Sequence, residues 1–250
     1  MSTRSVILIV LACVGTFVLT VLITGTLLFS AVQSAKGAAR RSQCTNNLKQ
    51  IALAMYCYYD QYQVFPPAYT VDKNRKPLHS WRVLLLPYLE NAELYERIRR
   101  DEPWNSEYNK QFHHVNLPVF QCPSNGQVEP GFNCHYSVVV GKKTPFEGSK
   151  PFTFNAIADG LSNTVMCVER RDPVCWMDPS SELTYEEVLE NGINPNPSEG
   201  LGSFHRSGSN GSGGVNTAFC DGSCRFIPET IDRQILKSIL TKDGNESGLQ

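Results

Sequence analysis

The sequence predicts an α+β fold, a long N-terminal helix packed on an antiparallel β-sheet. Three observations carry that reading. The first is an apolar run with no charge from Ser5 to Ala35. The second is an amphipathic continuation without proline until Pro66. The third is a series of short β-rich segments punctuated by Gly, Pro and Asp-Gly. At 250 residues, 41% hydrophobic and 19% charged, the chain has an ordinary globular composition. A net charge of −1 offers no electrostatic footprint for nucleic acid. The balance is uneven: no Lys or Arg lies between Arg171 and Arg206, where Asp172, Asp178, Glu182, Glu186, Glu187, Glu190 and Glu199 occur. That reads as a solvated acidic face.

The first element is the helix. "SVILIVLACVGTFVLTVLITGTLLFSAV" exceeds the ~20 residues that cross a bilayer, and it is longer than the ~7–15-residue apolar region of a cleaved signal peptide. It therefore reads as an uncleaved anchor over residues 1–35, followed by an ectodomain over 36–250. In the continuation, Leu48, Ile51, Ala52, Met55 and Tyr59 recur at i, i+3, i+4 spacing and form one stripe that needs covering. A single helix from Val6 to Tyr59 would be about 80 Å long, stopped by Pro66-Pro67.

Orientation rests on two opposed signals. Arg4 precedes the span while Lys36, Arg40, Arg41 and Lys49 follow it, which by charge places the bulk in the cytoplasm. Eight of the nine cysteines lie beyond the span without metal-binding spacing, which suits an oxidising compartment. The cysteines decide the expectation: a single pass in the inner (cytoplasmic) membrane with the bilayer as partner and the ectodomain periplasmic or otherwise extracytoplasmic.

Further along, "SWRVLLLPYLENAELYERIRRDEPW" predicts a short helix, kinked near Pro87, with Leu85, Leu89 and Leu94 inward. "LPVFQCP" and "CHYSVVVG" read as β-rich runs. "FTFNAIADGLSNTVMCVERR" reads as strand, Asp159-Gly160 turn, strand. Thr184 and Glu187 form a capping box for a helix ended by Gly192. "VNTAFCDGSCRFI" predicts a hairpin with a two-residue type I′ turn at Asp221-Gly222, and a helix over 229–241 closes the chain.

Several stretches in one order, "AVQSAKGAARRSQCTNNLKQIALAMYCYYDQYQVFPPA", "SWRVLLLPYLE", "EPWNS", "QCPSN", "DGLSNTVMCVE", "CWMDPSSEL" and "FCDGSCRFI", resemble a bacterial pilin-like and pseudopilin-like family of unknown function. The resemblance runs over residues 31–243. It implies a type IV pilin-like fold, a structural or interaction role in a type II secretion or pilus-like apparatus, and pilin-like or envelope proteins as partners. It also implies an H-x9-DG element, which is expanded here: His205 stands well before Asp221-Gly222, with "RSGSNGSGG" between. Leu8, Ile9 and Cys13 occupy the places of the prepilin Gly, Phe and acidic residue. A permanently anchored protein is therefore expected rather than a processed filament subunit.

The chemistry-bearing residues read mainly as architecture. His205, Asp221, Gly222, Asp159 and Gly160 are expected to shape turns. With a two-residue turn, Cys220 and Cys224 fall on opposite faces of the hairpin, so neither zinc binding with His205 nor a bond between them is expected. Cys122 with Cys134, closing "PSNGQVEPGFN", and Cys167 with Cys175, across a turn at "RRDP", are the expected disulfides. No cofactor, metal site or catalytic residue is expected. Two alternatives stay open: an envelope glycan- or peptide-binding module, and a hydrolase centred on His205.

Overall fold

The computed structural model describes residues 3–124, 134–195, 200–203, 206–207 and 212–244. The chain divides into two compact units, Met1–Arg40 and Arg41–Gln250. A continuous helix, α1 (Thr3–Tyr62), runs through the boundary. Gly37 does not interrupt it, because one glycine costs only about 1 kcal/mol against alanine.

Of the described side chains of the first unit, large apolar ones are exposed, Phe17, Leu22, Leu28 and Phe29 among them. Its threonine hydroxyls turn back on the helix: Thr20 donates to the Phe17 carbonyl (2.8 Å) and Thr24 to the Thr20 carbonyl (2.8 Å). Hydroxyls satisfied in this way are compatible with a surround that offers no water. Among the described residues this is one helix long and apolar enough to cross a membrane.

The second unit begins with the amphipathic part of α1. Leu48, Ile51, Ala52 and Met55 are fully buried, as their spacing predicts, and Tyr59 packs at the edge. Each of the large aliphatic side chains contributes about 1.5–3 kcal/mol by leaving water. After α1 come the paired strands β1 (Tyr69–Val71) and β2 (Pro77–Ser80), helix α2 (Trp81–Leu85), a 3-10 turn at Leu86–Tyr88, and α3 (Ala92–Arg97). Pro87 makes the break: it begins the tighter turn instead of extending α2.

The strands that follow are β3 (Cys134–Ser137), β4 (Val139–Val140), β5 (Val165–Val174), β6 (Leu183–Thr184), β7 (Arg206–Ser207), β8 (Ser212–Phe219) and β9 (Cys224–Pro228). The main sheet is antiparallel in the order β3-β5-β8, with β7 and β9 both paired to β8. β4 and β6 form a separate two-residue parallel pair. Helices α4 (Tyr185–Asn191) and α5 (Arg233–Leu240) complete the unit. The capping box forms as predicted: the Thr184 hydroxyl accepts from the Glu187 N–H (3.2 Å), and Gly192 ends the helix at φ 72°.

The sheet is buried on both faces. Tyr136, Met166 and Ala218 face α1, together with Trp81 and Trp176. Val165, Val215 and Phe219 face Val188 of α4 and Leu236, Ile239 and Leu240 of α5. The second layer of helices is what the strand pattern alone did not announce.

Three local expectations are corrected. "FTFNAIA" is not a strand. It carries a 3-10 turn at Phe154–Ala156, with Phe152 and Phe154 drawn into an aromatic cluster with Phe65, Tyr56 and Tyr59. "LPVFQCP" is likewise a 3-10 turn, Pro118–Phe120, because Pro118 suits the first turn of a helix better than a ladder. The hairpin β8–β9 pairs Ala218 with Cys224 and Thr217 with Arg225, one residue away from the register of a two-residue turn.

Candidate functional site

The register shift decides what the Asp221-Gly222 element is. The connection has three residues, Cys220, Asp221 and Gly222, closed by the Phe219 N–H on the Ser223 carbonyl (2.8 Å). Gly222 is left-handed (φ 81°) while Asp221 is not, whereas a type I′ turn needs positive φ at both central residues. Asp221 instead accepts from the Ser223 N–H (2.8 Å), an Asx turn. One residue of register moves side chains to the other face. Cys224 therefore shares a face with its partner Ala218 and with Cys220, and all three border the core under α1. The two thiols are still unbonded.

Helix α1 holds this turn directly. The Tyr56 hydroxyl donates to the Cys220 carbonyl, and a Cβ at Gly222 would lie 3.3 Å from the Tyr56 ring. Gly222 is thus favoured by its backbone angle, and a Cβ there would also press tightly on the Tyr56 ring.

Asp159 and Gly160 shape a second clamp. Gly160 is left-handed (φ 94°). The Asp159 carboxylate accepts from the Gly244 N–H (2.7 Å) and the Thr241 hydroxyl (3.4 Å), where α5 ends. The N–H groups of Ala158 and Asp159 donate to the Lys242 carbonyl (2.7 and 3.1 Å). Thr164 passes the connection on, its carbonyl accepting from the Cys220 N–H (2.8 Å). Two turns separated in sequence therefore share one backbone link. His205 lies outside the described residues.

The disulfide map differs from the expected one. Cys44 of α1 is bonded to Cys122, with Cα atoms 5.3 Å apart and a sequence separation of 78. Cys122 is thereby unavailable to Cys134, whose thiol donates to the Tyr136 carbonyl (3.3 Å). Cys167 and Cys175 are both unbonded: β5 runs on through Arg170–Asp172, bulged against β3, instead of turning back as a hairpin there. A partner for Cys44 contributed by a distant turn left no local signal in the sequence.

Around the disulfide sits a polar cluster. Glu169 of β5, buried, accepts from the Asn216 N–H (2.8 Å) and from its Nδ2 (3.1 Å). Asn47 donates to the Gln121 carbonyl (2.8 Å), fixing the Cys122 turn against α1, and to the Tyr136 hydroxyl (3.3 Å). Burial, with Glu169 nearby, pushes that phenol well up.

A second buried network was also missed. Arg82 of α2 is fully buried and paired with Glu182 at 2.5 Å. Its guanidinium also donates to the Tyr136 carbonyl (2.6 Å) and the Ser80 hydroxyl (2.8 Å). Glu182 further accepts from Trp81 Nε1 (3.0 Å) and the Val138 N–H (2.9 Å). Every strong donor here has an acceptor, the condition under which a buried ion pair is tolerated.

The thiols at the sheet and at the last hairpin are shifted upward by burial. Burial pushes the Cys175 and Cys224 thiols up to about 11, and raises Cys134, Cys167 and Cys220 as well. A reactive cysteine shows the opposite shift.

The class of protein this defines is an α+β domain of antiparallel strands following a long apolar N-terminal helix. Residues 33–234 match the family model described as "Protein of unknown function (DUF1559)", and the chain belongs to that family. No curated protein and no solved structure is similar enough to match it.

Proposed function

We propose that the chain is a non-catalytic, permanently anchored, pilin-like structural or interaction protein of the cell envelope, of the kind associated with a type II secretion or type IV pilus-like apparatus. The observation that carries the reading is α1. One continuous helix supplies both an apolar segment able to cross a bilayer and the buried stripe that closes the core of an antiparallel domain. The Cys44–Cys122 bond supports an oxidising, periplasmic location for that domain. Asp221, Gly222, Asp159 and Gly160 serve as architecture, and raised thiol pKa values argue against cysteine chemistry. The reading predicts that purified full-length protein has no hydrolase turnover on ester, peptide or glycoside substrates. Turnover abolished by His205→Ala would overturn it.

One observation favours a second reading, an envelope glycan-binding module. Tyr58, Tyr62 and Tyr88 cluster beside Gln61 at the end of α1, with Tyr58 and Tyr62 ring centroids 4.5 Å apart and Tyr62 half exposed. Amphipathic rings with polar tips at a surface suit sugar recognition. A glycan that raises the melting temperature in proportion to its concentration would favour this reading; no shift with envelope glycans would eliminate it.

A further inference from the structure

Glu169 of β5 is buried beside the Cys44–Cys122 bond. The ligand atoms of Cys44, Cys122 and Glu169 all lie within 4.8 Å of one another. They come from α1, from the turn after Pro118–Phe120 and from β5, so one point in the core gathers three separate elements. Asn216 of β8 grips the carboxylate through two donors, the kind of outer partner that orients a metal ligand.

We infer that, when the Cys44–Cys122 bond is open, Cys44, Cys122 and Glu169 form a binding site for one zinc-class divalent ion. Two thiolates and one carboxylate are a soft-to-borderline donor set, which selects zinc, cobalt or cadmium. Calcium and magnesium, which take six or more oxygens, find a single carboxylate here. In a tetrahedral zinc site the bond lengths of about 2.0–2.3 Å place neighbouring ligands roughly 3.3–3.8 Å apart. With the bond open, the three ligand atoms, now all within 4.8 Å of one another, would need to adjust only modestly to that spacing.

The two states are mutually exclusive and balance in charge and atoms. Opening the disulfide takes two electrons and two protons, both from a dithiol, or the electrons from a phosphine and the protons from the water that turns it into phosphine oxide, and leaves two neutral thiols. Binding the divalent ion then releases both protons as the thiolates form. The thiolates, carboxylate and ion together carry the same net charge as the disulfide and carboxylate they replace. In both states α1 is fastened to the turn after Pro118–Phe120 through Cys44 and Cys122, and the ion adds β5 through Glu169.

The test uses the full chain in detergent, kept under a phosphine reductant, with cobalt(II) as the probe. Thiol counting first shows whether Cys44 and Cys122 are open, and a bond that stays closed overturns the inference. With the bond open, one equivalent of cobalt should give a thiolate charge-transfer absorption that zinc displaces. Cys44→Ser and Cys122→Ser should abolish it, while Cys134→Ser and Cys167→Ser leave it intact. Asn216→Ala retains all three ligands and should weaken affinity about 10–100-fold. Glu169→Gln should weaken it by at least that much, with circular dichroism confirming the fold of each variant. No absorption, or unchanged affinity in a folded Glu169→Gln, would overturn the site.

Discussion

The hydroxyl of Tyr56 on α1 donates to the carbonyl of Cys220 in the β8–β9 turn, across 164 residues of sequence. Below the same ring lies Gly222, the left-handed residue of that turn. A helix that leaves the apolar unit is in this way tied to the last hairpin of the sheet by one hydrogen bond and one steric fit.

Tyr56→Phe keeps the ring and removes the bond. The expected loss is about 1 kcal/mol, with the Cys220 carbonyl left short of a partner. Gly222→Ala should cost more, about 1–3 kcal/mol, since it adds backbone strain to a contact with the ring. Urea unfolding of the full chain measures both, and a Gly222→Ala as stable as wild type would show that the turn is not held as described.

Breaking the Arg82–Glu182 pair should be among the most damaging single changes. Glu182→Ala strands a buried guanidinium and should lose about 3–5 kcal/mol. Replacing both partners with apolar residues of similar size should recover much of that loss. Measuring the single and double variants in one unfolding series separates the cost of an orphaned charge from the value of the pair.

The fold should weaken in mild acid. Burial lowers the pKa of His79, and burial followed by the Arg170 charge lowers that of His135 to about 4, with Asp172 opposing. A histidine depressed in the folded state is neutral there while the unfolded chain takes up the proton. Stability is therefore full above the unfolded value of about 6.5 and falls as pH drops toward the folded one. His135 alone accounts for about 3 kcal/mol between those limits. Unfolding free energies at several pH values should show this slope, and His79→Leu should flatten part of it. A stability independent of pH between about 6.5 and 4 would refute the assignment.

Opening the long disulfide should also be costly. For a loop with a sequence separation of 78, chain entropy gives about 4.5 kcal/mol. Cys44→Ser should lower stability by an amount of that order under oxidising conditions, and by far less under reductant without metal. Equal losses in the two conditions would mean that the serine, not the missing bond, does the damage.

Much of this architecture is written locally. The stripe Leu48–Ile51–Ala52–Met55 states which side of α1 is buried, and Thr184 with Glu187 states where α4 begins, because helix periodicity and capping act within a few residues. The Asp-Gly pair announced the last hairpin but not its register. The extra residue depends on packing against Tyr56, which no short window contains. The "FTFNAIA" segment alternates like a strand, yet its phenylalanines are claimed by Phe65, Tyr56 and Tyr59. Cys44–Cys122, Arg82–Glu182 and Glu169–Asn216 each join distant positions whose encounter is a result of the fold. The raised thiol pKa values follow from burial and were equally invisible.

The most direct test of the central claim, a permanently anchored domain in an oxidising compartment, is intact mass with non-reducing peptide mapping of the full chain. The chain is extracted from membranes with its thiols blocked at lysis. The account predicts an N-terminus that retains residues 3–13 of α1 and a single linked peptide pair joining Cys44 to Cys122. A chain cut near Leu8 with a methylated new N-terminus would make it a processed filament subunit. Cys44 and Cys122 recovered as free thiols would place the domain on the reducing side of the membrane.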